Sequence, residues 1–293
     1  MDTYAVVSQL KKQEDSKRIA KDLGKNSIDG IILNGDIGTK HPTTKWTAEE
    51  FEKTLTPLCE LGVPIYAQPG SEERKRDFSQ SIKRMQEQYN NVFSTVNKRK
   101  IAGDSHNLVF LPGCEELRTG DYQLNTRSLE QLIDDNRTTT LVTYTPPRFQ
   151  GEAVDQVYLA DGPQGEIQLQ EKIVENITTL YGDKNKDEIR RIARGIGWEF
   201  IKRNKGSQRL KNSMARLGIT KAVSSQFPNT YAHTSELQHM QEREERMDLN
   251  INTLRTPGYT VFHVENDTIS YEHVPMHSPH FEEQRYSTLQ QQS

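Results

Sequence analysis

The first 90 or so residues alternate between short apolar runs and helical patterns, and this alternation constrains the fold more than any other feature. The runs at residues 4–7, 29–33 and 63–67 predict buried strands, because each is too short for a helix and stops at polar or glycine residues. Residues 15–23, 47–61 and 72–89 have helical spacing. Strands that alternate with helices predict a parallel sheet covered on both faces.

The rest of the chain departs from this rhythm. Residues 108–111, 138–143 and 220–223 predict further strands, 128–134 and 206–217 predict helices, and 258–264 with 269–274 predict a terminal hairpin. Between 165 and 205 the chain is charged and helical, with Ile189, Ile192, Ala193 and Ile196 on one stripe, so we expect helices that stand off the sheet. We interpret 1–275 as one domain with a helical insertion at 150–205, and 276–293 as a disordered tail.

Composition narrows the class of protein. The 293 residues include 38 basic and 41 acidic side chains, for a net charge of -3, which gives no field for nucleic acid or an anionic membrane surface. Cys59 and Cys114 form no Cys-x-x-Cys motif, so a cysteine-based zinc site is not expected. No run is long and apolar enough to span a bilayer, and we therefore expect a cytoplasmic protein.

Polar and glycine residues follow the predicted strands, at the edge where open α/β sheets place their functional residues. Strand one is followed by 8–11, strand two by Asn34-Gly35-Asp36, and strand three by Pro69-Gly70-Ser71-Glu72. Later strands are followed by 144–147 and 224–227. Each of these turns is common alone, but their order and spacing together are specific.

In order and strand context these turns resemble the calcineurin-like metallophosphoesterases. That family places Asp-x-His, Gly-Asp and Gly-Asn-His after its first three strands, and further histidines in later turns. Gly206-Ser-Gln-Arg-Leu210 and Thr256-Pro-Gly258 resemble motifs of its archaeal and bacterial branch, so the resemblance covers about residues 4–275. It implies a layered α/β sandwich of central mixed, largely parallel sheets flanked by helices.

The same resemblance implies that the family's metal ligands are replaced, because only Asp36, at the position that bridges both metals in the family, is kept. An ammonium at position 11 repels cations, and a phenyl ring at position 227 has no donor atom. We therefore expect no catalytic residue and no cofactor, although a weak divalent ion on Asp36 and Glu72 remains an alternative. The replaced positions are Gln9, Lys11, Ser71, Glu72, Tyr144, Ser225 and Phe227.

Five side chains at this edge also have structural interpretations. We expect Lys11 to pair with Asp36, although Lys11 as a solvated residue at a helix start and Asp36 as a turn residue are alternatives. Glu72 and Glu73 are expected to open a helix, where the dipole favours carboxylates. Tyr144 is expected to be a packing residue with its hydroxyl at the cleft.

Three functions fit these features. The first is a non-catalytic binding or assembly module that meets a protein partner through residues 165–205. The second is a phosphoesterase with an altered site, in which Asp36 and Glu72 hold one metal or Lys11 and Arg74 hold phosphate. The third is a sensor of a phosphorylated compound. The metal content of the purified protein separates the first from the second.

Overall fold

A computed structural model describes residues 2–8, 10, 12–38, 47–103, 106–115, 117, 120–133, 138–148, 156–164, 167–204, 206–225, 247–250, 258–265 and 268–275. The strands of this part of the chain are Asp2–Val7 (β1), Gly30–Asn34 (β2), Ile65–Gln68 (β3), Val92–Ser94 (β4), Lys100–Ala102 (β5), His106–Leu111 (β6), Thr138–Thr143 (β7), Gln156–Asp161 (β8), Ile167–Leu169 (β9), Glu199–Asn204 (β10), Lys221–Ser224 (β11), Met247–Asn250 (β12), Gly258–Glu265 (β13) and Thr268–Pro275 (β14). The α-helices are Gln13–Leu23 (α1), Ala48–Cys59 (α2), Lys75–Gln88 (α3), Gln170–Tyr181 (α4), Lys186–Gly195 (α5) and Gln208–Arg216 (α6).

Two large sheets organise the chain. The first has the order β14-β13-β1-β2-β3-β4, in which β1 to β4 are parallel, β13 is antiparallel to β1, and β14 is antiparallel to β13. The second has the order β12-β11-β7-β6-β5 and is parallel except for β5. The parallel sheet predicted from the first three strands and the terminal hairpin are both confirmed.

The two sheets face each other across an apolar layer. Side chains such as Tyr4 and Ile32 of the first sheet meet Phe110 and Val142 of the second, and all are buried. Helices α1, α2 and α3 cover the outer face of the first sheet, and α6 covers that of the second. The result is the layered α/β sandwich that the resemblance implied.

Local signals set several helix boundaries. The side chain of Thr47 accepts a hydrogen bond from the N–H of Glu50 and begins α2, as the Thr47–Glu50 spacing predicts. The helix predicted over 128–134 is wrong for its described part, because a 3-10 turn at Thr126–Ser128 ends there and no α-helix follows it up to residue 133. There Asn125 caps the turn, and Leu129 is then buried against the second sheet without continuing a helix.

The inserted segment is only partly as predicted. Helices α4 and α5 are confirmed, but they pack with a three-stranded antiparallel sheet, β10-β8-β9, that the helical interpretation missed. Ile189 and Ala193 are buried and Ile192 is partly buried, as the stripe predicts. Ile196 is 48% exposed instead, because α5 ends one residue earlier and Ile196 leaves the helical conformation.

Two predictions about domain organisation are not tested by the described residues. The tail 276–293 lies outside the described residues, and the boundary of the insertion at 150–205 stays a prediction. Among the helices described, none has the length and apolar character needed to cross a membrane.

Candidate functional site

The carboxyl ends of four strands meet at the main chain of Asn34, the last residue of β2. Its carbonyl oxygen accepts hydrogen bonds from the hydroxyls of Ser8, after β1, and Ser225, after β11, at 2.9 and 2.8 Å. Its side-chain Nδ2 donates to the carbonyl of Thr143 at the end of β7, at 3.0 Å. All four residues are buried, so this polar cluster joins the two sheets directly below the site.

Asp36 follows this cluster and is 2% exposed. Its Oδ1 accepts hydrogen bonds from the backbone N–H groups of Ser71 and Glu72, at 2.7 and 3.1 Å. Its Oδ2 accepts from the hydroxyl of Ser71 at 2.9 Å and from the hydroxyl of Tyr144. Since a carboxylate offers roughly four acceptor positions, four donors from the chain itself use its capacity.

The ring of Tyr144 fills the space between two glycines. A Cβ atom at Gly35 would lie 2.3 Å from Tyr144 Cδ2, and one at Gly70 would lie 2.8 Å from Tyr144 Cε2. Burial, followed by the charge of Asp36, raises the pKa of the Tyr144 phenol well above its ordinary value. The phenol therefore keeps its proton and donates a hydrogen bond to Asp36. The prediction that Tyr144 is a packing residue is confirmed, and its hydroxyl contacts Asp36.

Glu73 is a site residue that the sequence indicated only as a helix-opening residue. It is fully buried, and its two carboxyl oxygens accept from the N–H groups of Ile37 and Gly70, at 3.0 and 2.8 Å. The expectation that Glu72 and Glu73 open a helix is wrong, because α3 begins at Lys75. The signal was present: the Gly35-Asp36 and Pro69-Gly70 turns leave buried N–H groups that need an acceptor.

The same interactions change the ionisation of Glu73. Burial, and next the negative charge of Asp36, raise the pKa of Glu73 well above 4.5, although the N–H donors of Gly70 and Ile37 oppose this. A second buried negative charge beside Asp36 is unfavourable, so a proton on Glu73 is favoured.

This raised pKa gives a test by pH. A carboxyl group with a raised folded-state pKa contributes stability below its unfolded pKa, and that contribution is lost as pH rises toward the folded value. The stability difference between the wild type and Glu73→Gln should therefore shrink by up to about 1.4 kcal/mol per pH unit above 4.5. At acidic pH the variant should be the less stable of the two, because an amide nitrogen cannot accept from Gly70 or Ile37. Urea unfolding across a pH series measures this, and a difference that is constant with pH would contradict it.

The described residues of the site do not fit the dinuclear metal centre that the resemblance implies for the family. Among the described residues, no group of three or more His, Cys, Asp or Glu side chains could hold a metal ion. Ser71 donates hydrogen bonds to Asp36 from its N–H and its hydroxyl, instead of offering a lone pair to a metal. The N–H of Ser225 donates a hydrogen bond to the carbonyl oxygen of Tyr144 at 3.2 Å. Gln9, Lys11 and Phe227 lie outside the described residues, so the pairing of Lys11 with Asp36 stays a prediction.

Comparison with solved structures finds the same fold at low sequence identity. One crystal structure aligns over 93% of this chain and 98% of its own, with a TM-score of 0.57 and 12% identity. The protein TT1561 of Thermus thermophilus aligns over the same shares, with a TM-score of 0.52 and 9% identity. A dimetal phosphatase from Danio rerio aligns over 94% of this chain and 96% of its own, but with a TM-score of 0.39 and 8% identity it is too distant to support a shared fold. No protein-family profile and no curated protein matches the sequence. The chain has the calcineurin-like metallophosphoesterase fold.

Proposed function

We propose that this chain is a non-catalytic protein of the metallophosphoesterase fold, which acts as a binding or assembly module. The observation that carries the proposal is the state of Asp36, whose two oxygens accept four hydrogen bonds from Ser71, Glu72 and Tyr144. A divalent ion would need those lone pairs, and it would have to break hydrogen bonds in a buried place to reach them.

Tyr144 supports the same proposal. A histidine at this position in the family offers an unprotonated nitrogen to a metal, whereas burial keeps the phenol of Tyr144 protonated. Its ring also lies against Gly35 and Gly70, in the space above the strand ends. The chain thus replaces metal coordination with its own hydrogen bonds and packing.

The inserted segment supports the role of a binding module. Residues 156–204 add a sheet and two helices with an apolar core of their own, built around Ile173, Ile177, Ile189 and Ala193. A fold does not by itself imply an activity, and surface added to a fold whose site has lost its ligands is available to a partner.

The proposal predicts no metal-dependent turnover. Purified protein should hold no stoichiometric manganese, iron or zinc, and added manganese should produce no hydrolysis of a chromogenic phosphodiester. Metal analysis and the ester assay, each run beside the matched variant Asp36→Asn, measure both.

Three results would contradict this picture. Two equivalents of a transition metal would indicate a working dinuclear site. Turnover that disappears in Asp36→Asn would show that the retained carboxylate still organises a metal. One equivalent of a divalent ion that is lost in the same variant would support the single-ion alternative on Asp36 and Glu72.

A further inference from the structure

The inserted segment has an unusual surface. Large apolar side chains that are exposed among the described residues are few, and three of the four belong to this segment. Leu180 and Tyr181, at the last turn of α4, are 74% and 51% exposed, and Ile196, just after α5, is 48% exposed. Exposed apolar side chains that flank one helix are typical of interaction surfaces.

Helix α5 presents three arginines between these apolar positions. Arg190, Arg191 and Arg194 are exposed, and Arg194 lies four positions after Arg190 and three after Arg191, so it neighbours both on one side of the helix. The opposite face carries Ile189 and Ala193, which are buried in the core of the segment. The arginine face is therefore fixed toward solvent by the packing of the helix.

The arginines of this face form few ion pairs with the described residues. Arg190 approaches Asp187 at 3.7 Å, but both side chains are more than half exposed. Neither Arg191 nor Arg194 forms an ion pair with any described residue. Guanidinium groups bind carboxylates through two parallel hydrogen bonds, and arginine is enriched at protein interfaces.

We propose that the arginine face of α5, formed by Arg190, Arg191 and Arg194, docks an acidic segment of a partner protein. This inference rests on the proposed function, because a binding module needs a surface that recognises its partner. Charge complementarity assigns carboxylates to the partner, and the exposed Leu180, Tyr181 and Ile196, which precede and follow α5 along the chain, are available for apolar contacts.

A protein partner fits this surface better than nucleic acid does. Asp187 and Glu188 stand in the first turn of the same helix, and acidic and basic residues balance over 156–204. Phosphate backbones are bound by larger basic fields, and they gain nothing from exposed leucine or isoleucine. A carboxylate-rich peptide with apolar side chains satisfies both features.

The test uses fluorescence anisotropy of labelled poly-L-glutamate with the full chain. The charge-reversed variant R190E/R191E/R194E should bind at least about tenfold more weakly than the wild type. The neutral variant R190Q/R191Q/R194Q should also bind more weakly, and circular dichroism melts verify that both remain folded.

Helix α1 offers a matched control, because Lys17, Arg18 and Lys21 repeat the same spacing and are also exposed. The variant K17E/R18E/K21E should bind within about twofold of the wild type, since it changes the net charge equally. Equal losses in the two reversed variants would overturn the proposal, and so would no binding by the wild type. If the wild type binds a labelled single-stranded oligonucleotide more tightly than poly-L-glutamate, and R190E/R191E/R194E loses that binding, the proposal is wrong and the face binds nucleic acid. Metal content and ester turnover concern Asp36 alone, so failure of the proposed function would be seen separately.

Discussion

A Gly35→Ala variant is expected to lose roughly 2–5 kcal/mol of folding free energy, the sum of backbone strain and overpacking. Gly35 has a φ of 84°, which side chains rarely adopt. Its new Cβ would lie 2.3 Å from Tyr144 Cδ2 and 2.7 Å from Gly70 Cα. The ring of Tyr144 is buried on all sides, so it cannot move away without disturbing Asp36.

Gly62→Ala is the matched control for the backbone part of this loss. Gly62 has a φ of 74°, but no atom lies within 4 Å of the position of its Cβ. It should therefore lose only about 1–2 kcal/mol. The midpoints of urea unfolding compare the two variants, and the excess for Gly35→Ala measures the contact with Tyr144 and Gly70. Equal losses would mean that Tyr144 is not held above the strand ends.

The order of the first strands and helices could be predicted because their signals are local. The strand runs of the first half are apolar and stop at polar or glycine residues, and helix α2 carries its own cap at Thr47. The ends of parallel strands meet at one edge of a sheet, so the neighbourhood of Asp36 and Ser71 also followed from the sequence.

The strands β8, β9 and β10 could not be predicted in the same way. Residue Glu199 pairs with Asp161, almost 40 positions earlier, so the pairing is a tertiary effect. Half of the residues of Glu199–Asn204 are charged, and only Phe200 and Ile201 are apolar. Short strands such as Lys100–Ala102 fail for a related reason, because three residues carry no periodicity.

The interior of the site was predictable in position but not in chemistry. The turn motifs located Asp36, Ser71 and Tyr144, yet the sequence contains no pattern that says a tyrosine hydroxyl reaches a carboxylate 108 positions away. Glu73 was interpreted as a helix-opening residue, because a glutamate before a helix is usually stabilised by the dipole. Instead, its side chain accepts hydrogen bonds from the buried N–H groups of Gly70 and Ile37.

Asn34 explains why these side chains hold their positions. Its carbonyl accepts from Ser8 and Ser225, and its Oδ1 accepts from Gln68 Nε2 at 2.7 Å. The strand ends that carry Asp36 and Tyr144 are thus tied together by buried hydrogen bonds, which are costly to break. The hydrogen bond from Tyr144 to Asp36 is made between two groups that have little freedom to separate.

Tyr144→Phe is therefore expected to lose about 1.5–3 kcal/mol of folding free energy, the range for a hydrogen bond to a charged group in a buried place. The substitution keeps the ring against Gly35 and Gly70 and removes only the donor to Asp36 Oδ2. Urea unfolding at neutral pH measures the loss.

The control is Tyr259→Phe, which removes a hydroxyl that donates to Asp22. The Asp22 side chain is 18% exposed, so water can replace the lost donor, and the loss should stay near 1 kcal/mol or below. A larger loss for Tyr144→Phe would mean that Asp36 depends on the chain for its solvation, which is the physical premise of a cleft that has exchanged metal for hydrogen bonds. Equal losses would remove that premise, because Asp36 would then have another source of stabilisation at the same site.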